Sequence, residues 1–541
     1  MPSRTANASE ATRNIVDPET AWQRYCGFLD LTVAEFMQIQ ERLLLEQIRL
    51  AYNSVLGRKI IGNVMPTTLE EFRRLVPFTT YDDYAPFLLE KNEDALPEKP
   101  VTWAYTSGRS GSPKYVPYTR RALDRITEDS VGTLILACAR KKGDVRLRPG
   151  LKVVYNLPPR PYFSGFMAVV LADRLGLRFL PPVEEAENMQ FEDRIKQSFK
   201  LAIRHGVDIV GSQTSVLVRM AESFASQSGR ISVGKALSQP KVALRGLKGK
   251  LSSKLARRPM LPRDLWSVKA IICYGMDTAA YKPRLVEYWG KEPYEFYGST
   301  EAGAAACQAW NRKGLYFSPF PCFPEFVPES EAVRMTNDKG YRPRSYFISE
   351  VKPGERYEVF ITSFYGMPFL RYRMEDIFEV VSLENRETGI KLPEFVFAGR
   401  TRDLIDLAGF AQLGEKDIWM AVAKAGLEVE DWTARKDIIN NEPVLHIYLE
   451  PKNHITPREA EDALHRALVE VNWNYRDLSA MLKTRSLHAT LLSPGTFKRY
   501  YQEKRGVGAP LVQLKPPRMN APQATLDVIL KHSNNAENRT A

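Results

Sequence analysis

A chain of 541 residues, 44% hydrophobic and 26% charged, exceeds what one hydrophobic core usually serves and lies outside the compositions of disordered or fibrous proteins. Its 76 Lys and Arg against 64 Asp and Glu leave a formal charge of +12, which favours anionic partners such as nucleotides, although the excess is spread along the chain. Five cysteines without a CxxC pair argue against a disulfide framework or a zinc site, and neither a signal-peptide core nor a run of about 18 apolar residues occurs, so a cytoplasmic protein without membrane insertion is expected.

Residues 1–20 are polar and expected to be disordered. Thr32 with Glu35 forms a capping-box pattern that opens a long amphipathic helix expected to end near Gly57, and Thr68 with Glu71 repeats the start signal. Short apolar runs then alternate with helical segments: GLKVVYNL, GLRFLPP, DIVGSQ before TSVLVRMAESFA, and VKAIICYG before AAYKPRLVEYW. That rhythm predicts α/β layers around a largely parallel sheet. The densest basic stretch, Arg245–Arg258, reads as a solvated surface loop rather than a nucleic-acid patch, because no aromatic residue interleaves with it.

After residue 340 the pattern becomes strand-rich, with YEVFITS, FEVVSL and EFVFAGR following one another. From about residue 400 a smaller unit begins, with helix GEKDIWMAVAKAG, strand PVLHIYLE, a helix capped by Thr456 and Glu459, and strand LHATLLSP. The expected fold is α/β: a large layered α/β N-terminal domain over residues 21–400 with an added β-rich subdomain, and a small mobile α+β C-terminal domain over 401–519. Residues 520–541 are expected to be a polar tail.

Four stretches carry chemistry. In Tyr105-Thr106-Ser107-Gly108-Arg109-Ser110-Gly111-Ser112-Pro113-Lys114, hydroxyls, glycines and cations make a loop whose backbone N–H groups can approach a polyphosphate; a Gly/Ser surface turn explains it equally well when taken alone. Phe296-Tyr297-Gly298-Ser299-Thr300-Glu301 ends a strand pattern, where α/β sheets bind ligands; Glu301 can hold Mg²⁺ and Thr300 can donate to a phosphate. In Arg371-Tyr372-Arg373-Met374-Glu375-Asp376, a carboxylate after a strand can accept both ribose hydroxyls. Gly399-Arg400-Thr401-Arg402-Asp403 falls on the expected domain boundary.

In this order and spacing the four stretches resemble the core motifs of the adenylate-forming superfamily of acyl-CoA synthetases, peptide-synthetase adenylation domains and luciferases, over roughly residues 100–410. Two positions depart from the pattern: Glu375 stands where a glycine is usual, so the local backbone is open to change, and Arg402 stands where an acidic residue or lysine is usual. A narrower likeness extends to most of the chain. Val76-Pro77-Phe78-Thr79-Thr80-Tyr81-Asp82-Asp83-Tyr84, Pro324-Glu325-Phe326-Val327-Pro328, Asn472 to Tyr475, Gly495-Thr496-Phe497 and Gln513-Leu514-Lys515-Pro516-Pro517-Arg518 look like the Gretchen-Hagen family of acyl-acid-amido synthetases.

The resemblance implies an ATP- and Mg²⁺-dependent ligase that converts a carboxylic acid to an acyl-adenylate, releases pyrophosphate and passes the acyl group to an amino acid. An acyl-CoA ligase using CoA is the alternative within enzymes, and a silent anion or nucleic-acid binder is the alternative outside them. It implies a phosphate cradle of Thr106, Ser107, Gly108, Ser110, Gly111 and Lys114, with Tyr297, Gly298 and Ser299 at the nucleotide. Thr300 would serve the α-phosphate, Glu301 the metal, Asp376 the ribose, and Arg400 the ribose or phosphate. Lys515 would be the adenylation lysine, with Lys498 as the other candidate. A rotation of the small domain about Arg400–Asp403 between half-reactions is also implied. The six histidines show no HExxH spacing and are expected to be surface or packing residues.

Overall fold

The computed structural model describes residues 17–107, 113–156, 160, 162–189, 191–227, 240–274, 278–338, 340–407, 411–439, 442–482, 486–506 and 518–537. The chain divides into two compact units, Met1–Gly275 with Lys282–Phe397, and Met276–Tyr281 with Ala398–Ala541.

The first unit opens with helices that start where their caps require. Asp17 caps Pro18–Cys26, so helical order begins within the segment expected to be disordered. Thr32 and Glu35 form the capping box of helix Val33–Tyr52. That helix stops at Asn53 rather than near Gly57, because Ser54 Oγ accepts the Gly57 amide at 2.9 Å and starts a second helix, Val55–Ile61. Gly57 marks a close approach instead: a Cβ there would sit 2.1 Å from the Ala51 carbonyl oxygen.

The strands, in chain order, are β1 (Thr102–Ser107), β2 (Pro113–Tyr118), β3 (Lys152–Tyr155), β4 (Arg178–Leu180), β5 (Ile209–Gln213), β6 (Ala270–Tyr274), β7 (Pro293–Ser299), β8 (Gly303–Gln308), β9 (Leu315–Phe317), β10 (Cys322–Pro328), β11 (Arg356–Ser363), β12 (Tyr372–Ser382) and β13 (Glu394–Arg400). β1 and β2 form a separate hairpin, and the others make one eleven-stranded sheet in the order 10-11-12-13-9-8-7-6-5-3-4. The run 7-6-5-3-4 is parallel, as the apolar-run rhythm predicts, and Ile209, Val210, Ala270 and Ile271 are buried. β7 is the strand where the sheet changes character, pairing parallel with β6 and antiparallel with β8. The antiparallel part packs around aromatic rings, with Phe395 5.1 Å from both Phe317 and Phe326.

Two further elements of the first unit differ from the sequence-based expectation. The basic stretch 245–258 is mostly helix, within Pro240–Leu255, not a loop. The strand-rich region begins at β8, well before residue 340.

In the second unit, β14 (Ile405–Leu407) pairs with β15 (Ala411–Leu413), while β16 (Val429–Ile439), β17 (Glu442–Pro451) and β18 (Leu487–Leu491) make a three-stranded sheet. Trp432, Ala434, Leu445, Ile447 and Leu449 pack with Ile418, Ala421 and Val422 of helix Glu415–Lys424 and with Leu464 and Leu468 of helix Pro457–Val471. Residues 523–537, expected in a polar tail, form a helix whose Leu526 and Ile529 are buried with Phe497 and Tyr500. Asn472 Oδ1 accepts the Tyr475 amide at 2.9 Å, and the Tyr475 ring is fully buried. All five cysteines are buried thiols. Among the described residues no helix is long and apolar enough to cross a membrane.

Candidate functional site

The hairpin β1–β2 carries the Thr-Ser-Gly stretch. Thr106 faces Lys114 and Ser107 faces Pro113 in antiparallel register, so both ends of the loop are fixed by strands. Gly108, Ser110 and Gly111 lie outside the described residues. Tyr81 locks the second strand in place: its phenol oxygen accepts the Tyr115 amide at 2.7 Å, and its hydroxyl donates to the Tyr115 carbonyl at 3.2 Å. Burial pushes the Tyr81 phenol up to about 12, so it stays a neutral donor. The Lys114 ammonium lies 5.1 Å from the centre of the same ring.

The second stretch sits at the C-terminal end of β7, the last parallel strand, where the ends of an open α/β sheet form a ligand crevice. Gly298 is required by a close approach, since a Cβ would come within 2.9 Å of the Phe296 ring and 3.1 Å of the Gly303 carbonyl. Ser299 Oγ accepts the Ala302 amide at 3.1 Å and closes the turn that follows. The Tyr118 hydroxyl donates to the Thr300 carbonyl, and Ser363 Oγ donates to the Glu301 carbonyl at 2.6 Å. The backbone of this turn is therefore held from β2 and β11, leaving the Thr300 and Glu301 side chains to other uses.

Glu301 is buried, and burial pushes its carboxyl above the usual range. A backbone hydrogen bond, the Lys114 ammonium and a hydrogen bond from Ser299 act against that rise, and the Asp376 carboxylate adds to it. Groups from three stretches remote in sequence therefore act on one carboxylate. Asp376 itself is buried on β12 and receives a 2.8 Å hydrogen bond from the Tyr297 hydroxyl. Glu375, in the place of the usual glycine, has φ 64°, the left-handed conformation that glycine adopts most readily. A glycine-like backbone is present there despite the larger residue.

Arg371 opens the third stretch but faces the core. Its guanidinium makes a bidentate pair with Glu325 at 3.0 and 2.9 Å and donates to the carbonyls of Arg73 and Val76 at 2.8 and 2.6 Å. Phe78 lies under it at 4.1 Å. The segments 76–84 and 324–328 thus meet on a structural cation.

In the second unit, Arg400 is an exposed residue at the end of β13, and Thr401–Asp403 form one 3₁₀ turn. Lys515 lies outside the described residues. Arg518, which ends its stretch, is stacked 4.6 Å from Trp419 and paired with Asp431 at 2.6 Å, and its carbonyl accepts the Ala434 amide at 2.6 Å. Lys498 is exposed on helix Thr496–Gly506. Gly495 and Phe497 donate their amides to Glu450 at 2.5 and 2.8 Å, a helix-start contact.

Sequence reasoning did not single out Tyr118 or Ser363, and it noted Tyr81 only within a resemblance. Their work is done through backbone groups of distant residues, which no local pattern displays. Among the described residues no group of three or more His, Cys, Asp and Glu side chains is placed to hold a metal ion. A cavity of about 410 Å³ opens elsewhere, at edge strand β4, lined by Lys152, Arg178 and His205. Lys152 and Arg178 begin their parallel strands, the end opposite to Thr300 and Glu301.

The chain matches the GH3 family N-terminal domain over residues 27–156, its central domain over 315–400 and its C-terminal domain over 416–523. It is 27% identical over 269 residues to jasmonoyl–L-amino acid synthetase JAR4 of Nicotiana attenuata, which is 46% of this chain and 44% of that protein. It is also 27% identical over 255 residues to indole-3-acetic acid-amido synthetase GH3.10 of Arabidopsis thaliana, covering 43% and 41%. The matched stretch thus spans less than half the length of these curated relatives. Among solved structures, AtGH3.15 acyl acid amido synthetase in complex with 2,4-DB superposes with a TM-score of 0.69 at 18% identity over 96% of both chains. A 2-hydroxyisobutyryl-CoA ligase superposes with a TM-score of 0.61 at 14% identity over 93% of both. At these identities the structural likeness is one of fold.

Proposed function

We propose that this chain, which belongs to the GH3 family, is an ATP-dependent ligase that activates a carboxylic acid as its acyl-adenylate and conjugates the acyl group to an amino acid. The observation that carries this reading is the meeting of three stretches that resemble adenylation motifs at the end of β7, where the Tyr297 hydroxyl bonds Asp376 at 2.8 Å and β2, the strand of Lys114, holds the Thr300 carbonyl through Tyr118. A carboxylate oxygen attacks the α-phosphate of ATP, pyrophosphate leaves, and the amine then attacks the acyl carbon and expels AMP. No nucleophilic side chain is needed, because both nucleophiles are substrates.

The chain's own groups bind and orient in this scheme. Asp376, aimed by Tyr297, accepts the ribose hydroxyls, while Thr106, Ser107, Gly108, Ser110, Gly111 and Lys114 receive the leaving phosphates. Gly298 and Ser299 shape the turn, Thr300 donates to the α-phosphate, Arg400 contacts ribose or phosphate, and Lys515 stabilises charge in adenylation. The same reading takes residues 21–400 as the adenylating domain, 401–519 as the small domain, and a reducing cytoplasm as the setting for the buried thiols. Among the described residues Glu301 is a buried carboxylate outside any cage of protein ligands, which suits Mg²⁺, usually held by one or two carboxylates plus substrate phosphates. Glu301 would hold it, and bound Mg²⁺ supplies charge neutralisation at the phosphates.

The relatives' names favour an amine acceptor over CoA. Pyrophosphate release is measured with a panel of carboxylates, adding CoA or each amino acid in turn. Stimulation by an amino acid, with an amide product by mass spectrometry, is expected. Stimulation by CoA with a thioester product assigns the chain to the acyl-CoA ligase alternative.

A further inference from the structure

The helix Pro240–Leu255 turns its apolar side to water. Leu244, Leu247, Leu251 and Leu255 are 70%, 67%, 60% and 78% exposed. At about 100° per residue they fall within an arc of roughly 80° on one face. No other helix or strand among the described residues carries more than two strongly exposed large apolar side chains.

The packing of the opposite face fixes this orientation. Gly249 is buried so tightly that a Cβ would sit 2.7 Å from Met260 Sδ and 2.9 Å from Leu265. Ser252 Oγ donates to Asp264 at 2.8 Å, and Arg245 donates to the Ile203 carbonyl at 2.8 Å. Small and polar residues face the body and leucines face solvent, the reverse of the usual surface helix. Among the described residues nothing covers the leucine stripe, and an exposed apolar patch of this kind marks an interaction site.

Charge selects the partner. From Pro240 to Arg263 the chain holds Lys241, Arg245, Lys248, Lys250, Lys254, Arg257, Arg258 and Arg263 and no acidic residue. Lys248, Lys250 and Lys254 are exposed, and on the helical wheel they flank the leucine arc on both sides. A leucine face bordered by lysines is the pattern of a helix that lies in a membrane interface, its apolar side at the acyl boundary and its cations at anionic headgroups. A second copy of the chain would bring two such cationic faces together, which repulsion opposes. We propose that this face docks the protein on an anionic lipid surface, lying on the bilayer and not crossing it.

The full-length protein is sedimented with vesicles of phosphatidylcholine, alone or doped with phosphatidylserine, at low salt and at about 0.15 M salt. Pelleting with the anionic vesicles is expected, at least about tenfold stronger than with the neutral ones and weakened by salt. The pair Leu247→Ser and Leu251→Ser lowers it by about tenfold or more without changing the melting temperature or pyrophosphate release. The pair Lys248→Gln and Lys254→Gln removes the preference for anionic lipid. No pelleting, or pelleting indifferent to the leucine pair, overturns the proposal. So does a wild-type dimer that the leucine pair dissociates, which gives the face to a second copy. Oligonucleotide binding lost with the lysine pair and kept with the leucine pair, in a protein that ignores vesicles, gives it to nucleic acid.

Discussion

The Tyr297 hydroxyl donates a 2.8 Å hydrogen bond to Asp376 Oδ2, joining the end of parallel strand β7 to antiparallel strand β12, four places away in the order of the sheet. A phenol that aims a buried carboxylate affects substrate binding more than chemistry. Tyr297→Phe is expected to raise the apparent KM for ATP by roughly tenfold, the value of one charge-assisted hydrogen bond of about 1.5 kcal/mol, with a smaller change in kcat. Asp376→Ala should raise it further. Initial rates across ATP concentration check both, and wild-type KM in both variants removes Asp376 from the nucleotide site.

Glu301→Gln separates the carboxylate from its scaffold. The turn is held through the Glu301 carbonyl by Ser363, so the amide variant should fold with an unchanged melting temperature. Its Mg²⁺ activation curve is expected to shift upward by about tenfold or more, because a neutral ligand replaces an anionic one. A superimposable Mg²⁺ titration rules out the metal assignment.

Lys515→Ala is expected to slow adenylation by roughly 100-fold, about 3 kcal/mol, and to leave amide formation from supplied acyl-adenylate largely intact. Lys498→Ala serves as the comparison. Loss of pyrophosphate release in the Lys498 variant alone transfers the role to that residue.

The parallel half of the sheet was legible because strands covered on both faces read as continuous apolar runs, as in VKAIICYG and DIVGSQ. β16 was not, because VEDWTARKDII scatters five charged residues among its apolar ones. The helix at 240–255 was hidden by its own inversion: with cations dense and leucines outward, the composition looked like a loop. In the site, Glu301 and Asp376 were legible as chemistry, whereas Tyr81, Tyr118 and Ser363 act on backbone groups up to 182 residues away. Arg371 belongs to a motif by position but to the core by contact, a distinction that only packing reveals.

That contact predicts a stability effect. Arg371→Met leaves Glu325 buried without its cationic partner and should destabilise the first unit by about 3–5 kcal/mol in urea unfolding. Adding Glu325→Leu should recover much of the loss. A single variant as stable as wild type contradicts the network's structural role.

His446 and Asp437 predict how the second unit responds to acid. Burial holds the His446 imidazole below its ordinary value, against the pull of Asp437, with His488 adding to the depression. Burial pushes the Asp437 carboxyl up, but hydrogen bonds from His446 and Arg435 outweigh it and leave it lowered. Both folded values are depressed, so each contributes stability that is present above its unfolded value and lost as pH falls through its folded one. Hydrogen exchange of β17 amides should therefore accelerate as pH drops below about 6.5, after correction for intrinsic rates. His446→Gln should flatten that dependence, and an unchanged slope in this variant counts against it.

The most direct test of the central claim is carboxylate-dependent exchange of labelled pyrophosphate into ATP, with no amino acid or CoA present. Formation of an acyl-adenylate predicts exchange that requires the acid and Mg²⁺ and falls in the Asp376→Ala and Lys515→Ala variants. An acid- and acceptor-dependent reaction that releases ADP and phosphate, with no exchange, contradicts adenylation.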